Sequence, residues 1–224
     1  HLSKLTNALE NSDLINLPLF SIEDSERIPA EFKDLKDLSK QFSTFDPYEP
    51  VMKDVAAYIF TSGTTGLPKA ALVDHAKLVK GSFAGHFLCF NFKTKDRLYM
   101  TLPLYHSTGL VLGWAASLRS GCANIIKPKF SASEFWDDVK KYKANKFIYV
   151  GELCRYLMNL PASETDKSNS IVQISGNGLR PDIWDSFQKR FNIKKIVEIY
   201  GATEAVGMTV NSFGRSGMIG RKRS

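Results

Sequence analysis

The sequence predicts an α/β fold, parallel sheets covered by helices, on three observations. Short apolar runs suited to strands alternate with helical segments of about ten residues, an order that implies crossover connections and a buried parallel sheet. Polar, glycine-bearing stretches follow two of those runs, Ser175-Gly176-Asn177-Gly178 after Ile174 and Gly201-Ala202-Thr203-Glu204 after Tyr200. In α/β sheets such positions, outside the carboxyl ends of strands, are where ligands collect. The length of 224 residues, 43% of them hydrophobic, is enough for a sizeable core.

In order along the chain, Leu14 to Phe20 reads as a short strand and Ser21 to Lys40 as a solvated connection with one helical turn. Turn chemistry at Asp46-Pro47-Tyr48-Glu49-Pro50 separates residues 1–47 from the rest. Tyr58 to Phe60 is apolar strand, Ala70 to Val73 a return strand, and Asp74 a helix cap over His75 to Cys89. Arg97 to Leu102 is a strand, Pro103 to Ser107 a loop, Gly109 to Leu118 a helix, and Cys122 to Ile126 a strand. Ser131-Ala132-Ser133-Glu134 has the spacing of a capping box ahead of a helix over Phe135 to Tyr142. Lys146 to Val150 is a strand, Glu152 to Leu160 a helix stopped by Pro161, and Ser163 to Ser170 a surface loop. Ile171 to Ile174, a helix over Asp182 to Phe191, and Ile196 to Tyr200 continue the alternation.

Between the first strand and its return lies Thr61-Ser62-Gly63-Thr64-Thr65-Gly66-Leu67-Pro68-Lys69, which has the composition of a phosphate cradle. Gly63 and Gly66 lack Cβ atoms and let backbone N–H groups turn toward an anion. Thr61, Ser62, Thr64 and Thr65 add hydroxyl donors, and Lys69 a mobile point charge. Pro68 biases Leu67 away from helix, so Lys69 does not open a helix as the lysine of an ordinary P-loop does. A nucleotide hydrolase of that kind is therefore disfavoured. The plainer alternative is a polar turn between strands.

Lys plus Arg exceed Asp plus Glu by 30 to 23, but part of the excess is Arg215, Arg221, Lys222 and Arg223. The remaining charges are mixed, without the basic and aromatic interleaving of single-strand binders, so no nucleic-acid partner is expected. Cys89, Cys122 and Cys154 are odd in number and far apart, which argues against a disulfide framework or zinc site and for a reducing compartment. His75, His86 and His106 lack metal-ligand spacing. Leu102 to Leu118 is too short, and too interrupted by Pro103 and His106, for a membrane span. A chain opening on His1 without a signal peptide reads as a piece of something longer.

Four separated motifs share one explanation: the cradle, Leu102-Pro103-Leu104-Tyr105-His106-Ser107, Gly176-Asn177-Gly178-Leu179-Arg180-Pro181 and Tyr200-Gly201-Ala202-Thr203-Glu204. Together they resemble the adenylate-forming superfamily. Tyr149 to Leu157 and the Asn-bearing Gly-Asn-Gly-Leu-Arg-Pro segment look like its fatty acid transport protein, or very-long-chain acyl-CoA synthetase, branch. The likeness runs from about Tyr48 to Arg221. It implies a front part of the large AMP-binding domain in residues 1–47, its central region in 48–224, and an absent small C-terminal domain.

The resemblance also implies a chemistry: ATP-dependent activation of a fatty acid through an acyl-adenylate, then transfer to coenzyme A, coupled to fatty acid uptake. ATP, Mg2+ and coenzyme A are the implied small molecules. Thr61, Ser62, Gly63, Thr64, Thr65, Gly66 and Lys69 would hold the departing pyrophosphate, where charge develops. Glu204 would be the Mg2+ ligand, Thr203 would bond the α-phosphate, and Tyr200 with Gly201 would lie by the adenine, bordered by Gly176 and Asn177. His106 would orient the fatty carboxylate, which is already ionised at neutral pH. The alternatives are a structural histidine, a core tyrosine at 200 and a surface glutamate at 204. Trp114, Gly109, Gly113, Ala115 and Ala116 suit an acyl channel or helix packing equally.

Several family features fall outside these residues: an aspartate for the ribose hydroxyls, the hinge, and a lysine in the small domain. The expectation is that residues 1–224 alone neither complete the reaction nor form a stable closed core. A non-catalytic lipid-binding or transport protein on the same scaffold is the alternative function. The resemblance suggests membrane association at the cytosolic face of the endoplasmic reticulum, peroxisome or plasma membrane, through parts outside this chain.

Overall fold

The computed structural model describes residues 19–21, 32–41, 48–61, 67–204 and 207–220. The chain divides into two units, His1–Glu49 and Pro50–Ser224.

In the first unit β1 (Leu19–Ser21) pairs in parallel with β2 (Phe32–Asp34), and α1 (Leu35–Lys40) follows directly. The carboxylate of Asp34 caps α1 by accepting from the Lys36 backbone N–H at 2.8 Å. The expected solvated connection thus contains a strand, too short for its periodicity to register in a mixed-charge segment. Residues 14–18 of the expected first strand lie outside the described residues.

The second unit opens with an antiparallel hairpin, β3 (Val55–Thr61) and β4 (Lys69–Asp74), in which Thr61 pairs with Lys69. Its inner face buries Ile59, Ala71 and Val73, while Tyr58, Phe60 and Leu72 stand exposed. Asp74 ends β4 and caps α2 (His75–Phe83), its carboxylate accepting from the Lys77 N–H at 2.6 Å. The helix continues in π-helical turns over Ala84–Phe90 and stops at Asn91, which takes the left-handed conformation (φ 48°).

The main sheet has six strands in the order β10-β9-β8-β7-β5-β6. β5 (Arg97–Met100), β6 (Ala123–Ile126), β7 (Lys146–Val150), β8 (Gln173–Asn177) and β9 (Lys195–Gly201) are parallel. A short antiparallel strand, β10 (Met208–Asn211), absent from the expected elements, closes one edge. Between β5 and β6 a helix over 108–120, α3, is π-helical at Thr108–Ala115 and regular at Ala116–Ser120. The remaining connections carry α4 (Ala132–Tyr142), α5 (Gly151–Met158) and α6 (Pro181–Arg190).

Strand alternation divides the core between two helical layers. Tyr99 and Phe147 meet Phe135 of α4, with ring centroids 5.1 and 4.8 Å apart. On the opposite face Met100 and Ile148 lie against Gly113 of α3, where a Cβ would come within 2.7 Å of the Met100 sulfur. Gly85 of the first long helix meets Ala116 and the Leu112 carbonyl in the same way. Gly113 thus packs α3 against the sheet, Ala116 packs it against Gly85, and Gly109 lies against the Leu102 and Pro103 carbonyls; these three and Ala115 are buried.

Two local expectations need correction. Ser131 makes no cap bond to the backbone; its hydroxyl lies 3.2 Å from that of Ser133. A capping box occurs instead at Ser163 and Asp166, opening a 3-10 turn, Glu164–Ser168, inside the expected surface loop. Ser-x-x-Asp satisfies the same reciprocal geometry as Ser-x-x-Glu, and at Ser131 the nearer hydroxyl competes for the donor. In addition, β8 extends to Asn177, so Ser175 and Gly176 are strand residues and not loop. Both are buried.

Candidate functional site

Polar groups at the two ends of the parallel strands do different work. At the amino ends Asn145 accepts from the Arg97 N–H at 2.8 Å and donates to Asp96 at 2.7 Å, while the Lys146 ammonium donates to Gln173 at 2.8 Å. These groups bond one another. The carboxyl ends carry the motifs.

At the end of β8 the backbone is packed too closely for side chains. A Cβ on Gly176 would sit 2.0 Å from the Tyr149 carbonyl oxygen, and one on Gly151 1.7 Å from that of Gly178. Gly178 has φ 84°, a turn that favours glycine and aims its N–H and that of Leu179 at Glu198. Glu198 also accepts from the Tyr149 hydroxyl at 2.6 Å. Burial raises the Glu198 carboxyl above the usual glutamate range, against the lowering effect of its three donors. Burial, then the Glu198 charge, pushes the Tyr149 hydroxyl well above its ordinary value. The network fixes the Gly176–Leu179 turn and leaves Asn177 exposed beyond it.

The hairpin and the segment after β9 meet at a second point. The Thr61 hydroxyl donates to Glu204 Oε1 at 2.7 Å and lies 3.4 Å from the Lys69 carbonyl oxygen. Thr61, Lys69 and Glu204 therefore stand together where the 62–68 loop leaves and re-enters the hairpin. Thr61, foremost among the causes, holds the exposed Glu204 carboxyl below its ordinary value, and Lys77 adds a smaller effect in the same direction. Ser62, Gly63, Thr64, Thr65 and Gly66 lie outside the described residues.

Thr203, next to Glu204, shares a hydrogen bond with Ser107, the two hydroxyl oxygens 2.9 Å apart. That contact draws in the loop after β5, where His106 is exposed and its Nδ1 accepts from the Thr108 N–H at 3.2 Å. With Nδ1 accepting, a neutral ring carries its proton on Nε2. Tyr200 is 63% exposed in this chain. Gly201 is exposed beside it.

Three residues escape a reading of the sequence alone. Lys77 donates from α2 to the Leu72 carbonyl at 3.2 Å and the Thr203 carbonyl at 3.4 Å, a placement no local pattern encodes. Ser107 lies inside a recognised motif in which the neighbouring histidine is the conspicuous residue. Glu198 leaves a usable signal, a carboxylate in the apolar run Ile196-Val197-Glu198-Ile199, since a buried acid needs dedicated donors.

The hairpin at Thr61, the loop after β5 at Ser107 and the segment after β9 at Thr203–Glu204 thus touch one another, and a family profile described as AMP-binding enzyme matches residues 5–223. The chain belongs to the AMP-binding enzyme family. Mouse long-chain fatty acid transport protein 3 is 47% identical over 168 residues, 75% of this chain and 25% of that protein. The medium/long-chain-fatty-acid–CoA ligase FadD6 of Mycobacterium tuberculosis is 36% identical over 211 residues, 92% of this chain and 35% of its own length. This AMP-binding chain therefore spans about a quarter to a third of the curated relatives it matches. The crystal structure of ATP-bound MatB from Rhodopseudomonas palustris superposes with a TM-score of 0.71 at 24% identity, covering 81% of this chain and 38% of MatB. At that identity the superposition establishes the shared α/β fold.

Proposed function

We propose that this chain is the nucleotide-binding part of an acid–thiol ligase that activates long- or very-long-chain fatty acids with ATP and passes them to coenzyme A. The observation that carries the reading is the hydrogen bond from Thr61 to Glu204, which joins the glycine- and hydroxyl-rich hairpin loop to the segment after β9. The names of the two relatives, a fatty acid transport protein and a fatty acid–CoA ligase, support the substrate class.

In this reading a carboxylate oxygen of the fatty acid attacks the α-phosphorus of ATP, and the bond to the β-phosphate breaks to release pyrophosphate. Negative charge grows on the leaving group, opposite the ammonium of Lys69 and the donors of residues 61–66. Thr203 bonds the α-phosphate and Tyr200 stacks on the adenine, beside Gly201 and the Gly176–Asn177 edge. His106, its Nδ1 engaged by the Thr108 N–H, presents Nε2 to the acyl carboxylate as a positioning group. In the second half-reaction the coenzyme A thiol gives up its proton to solvent and attacks the acyl carbonyl; a C–S bond forms, the acyl C–O bond to the phosphate breaks, and AMP departs.

One carboxylate with a hydroxyl beside it, as at Glu204 and Thr61, is a hard-oxygen donor set that fits Mg2+ sharing phosphates and waters. When bound, Mg2+ would neutralise phosphate charge there. Coupling of the ligase to fatty acid uptake, and attachment to the cytosolic face of a membrane, belong to the same proposal. Among the described residues no helix is long and apolar enough to cross a membrane.

ATP–pyrophosphate exchange by the full-length protein, across carboxylic acids of graded length, tests the reading. Exchange dependent on a long-chain acid is expected, and none with any fatty acid would overturn it, favouring a lipid carrier on the same scaffold.

A further inference from the structure

The segment bearing Thr203 and Glu204 is held from three sides. Thr61 of the hairpin takes the Glu204 carboxylate, Ser107 of the loop after β5 takes the Thr203 hydroxyl, and Lys77 of α2 takes the Thr203 carbonyl. Lys77 also reaches the hairpin, through the Leu72 carbonyl. Its backbone is fixed independently, because its N–H donates to the Asp74 cap in the first turn of α2. Helical side chains lean back toward the helix start, which carries the Lys77 ammonium across β4 to the segment.

The charge of Lys77 matters as well as its reach. Among the described residues its hydrogen-bond acceptors are two carbonyl oxygens, and no carboxylate lies within ion-pair distance. Among the described residues the Lys77 ammonium makes no close ion pair, and its charge is felt at Glu204, beside residues read as touching the α-phosphate and the Mg2+. Lys77 spans hairpin and segment and so adds a second tie to the one that Thr61 makes with Glu204.

We propose that Lys77 is a positioning residue for nucleotide binding, locking the Thr203–Glu204 segment to the hairpin and lending positive charge to the phosphate side of the site. The inference rests on the ATP-dependent ligase reading. It adds a residue outside every recognised motif, acting through Thr203 and not through direct reaction.

The test uses the full-length protein and four measurements: ATP affinity by calorimetry with Mg2+ present, KM for ATP, KM for the fatty acid, and the ligand-free melting temperature. Lys77→Met is expected to weaken ATP roughly tenfold, the scale of one charge-assisted contact, with fatty-acid KM and ligand-free melting temperature unchanged. Lys77→Arg, which keeps charge and reach, is expected to recover most of the loss. Ser107→Ala approaches Thr203 from the other side, so the loss in the double variant is expected to fall short of the sum of the two single losses. Wild-type ATP affinity in Lys77→Met overturns the inference, as does additive loss in the double variant. So does a loss shared equally by ATP and fatty acid with a lowered melting temperature, which marks a merely structural lysine. A wild-type protein that binds no ATP overturns the ligase reading and this inference together.

Discussion

Lys69 and Glu198 illustrate two opposite uses of charge at one sheet edge. Lys69 is exposed at the start of β4, and in the proposed mechanism its ammonium follows the leaving pyrophosphate. Replacing it with Met in the full-length protein is expected to lower the pyrophosphate exchange rate by roughly a hundredfold, the scale of removing one donor from a developing charge. Retention of the wild-type rate would remove Lys69 from the proposed mechanism. Glu198 is 3% exposed and shapes the Gly176–Leu179 turn from beneath. Its carboxyl is raised in the folded chain, so the folded state binds its proton more tightly than the unfolded one. That stabilising contribution is full below the ordinary glutamate range and is lost as pH rises through the raised folded value. Urea midpoints measured from about pH 4 to 7 are expected to show this decline, and Glu198→Gln to flatten it. An unchanged slope in the Glu198→Gln variant would mean that another group titrates there.

At the scale of elements, the hairpin, α2 and the strand-end turns are tied by contacts that sequence spacing sets only locally. Asp74 does two jobs, ending β4 and capping α2 at the Lys77 N–H, so under the Lys77 proposal its substitution is expected to be felt at the nucleotide site. Asp74→Ala is expected to cost about 1 kcal/mol of stability by chemical denaturation, the usual value of an N-cap, and also to weaken ATP binding. A stability loss with unchanged ATP affinity would uncouple the helix start from the site. Gly151 is pressed against the Gly178 carbonyl, and even one added methyl has nowhere to go. Gly151→Ala is expected to destabilise the fold by roughly 1–3 kcal/mol through overpacking, read as a lowered urea midpoint. Equal stability would show that the β7 and β8 ends yield easily.

At the scale of the second unit, burial is concentrated in the parallel sheet. β7 and β8 lie at its centre, and Phe147, Ile148, Tyr149, Ile174 and Ser175 are almost wholly buried. The β3–β4 hairpin buries one face and exposes Tyr58, Phe60 and Leu72 on the other. Amide hydrogen exchange should therefore be slowest in β7 and β8 and faster in the hairpin, whose opening exposes less apolar surface. Added ATP should slow exchange in the hairpin and at Gly201–Glu204 more than in the sheet; equal slowing everywhere would argue against a nucleotide site at their junction.

Much of this architecture is legible in the sequence because its signals are local. The strand over Lys146–Val150 and the Asp74 cap follow from hydrophobic periodicity and hydrogen-bond chemistry within a few residues. β2 and β10 are not legible, since Phe32–Asp34 and Met208–Asn211 are short and lack the apolar run that marks strands such as β6. Spacing points to a capping box at Ser131 when the geometry belongs to Ser163, because two nearby hydroxyls bond one another. The motifs at Thr61 to Lys69, His106, Gly176 and Glu204 can be named one by one, but their adjacency cannot be derived from spacing. That Thr61 touches Glu204, Ser107 touches Thr203, and Lys77 bridges segment and hairpin is decided by the tertiary structure alone. The physical reason is that side-chain chemistry and local periodicity are properties of a few consecutive residues. Which strand ends share an edge depends instead on how the whole sheet buries both its faces.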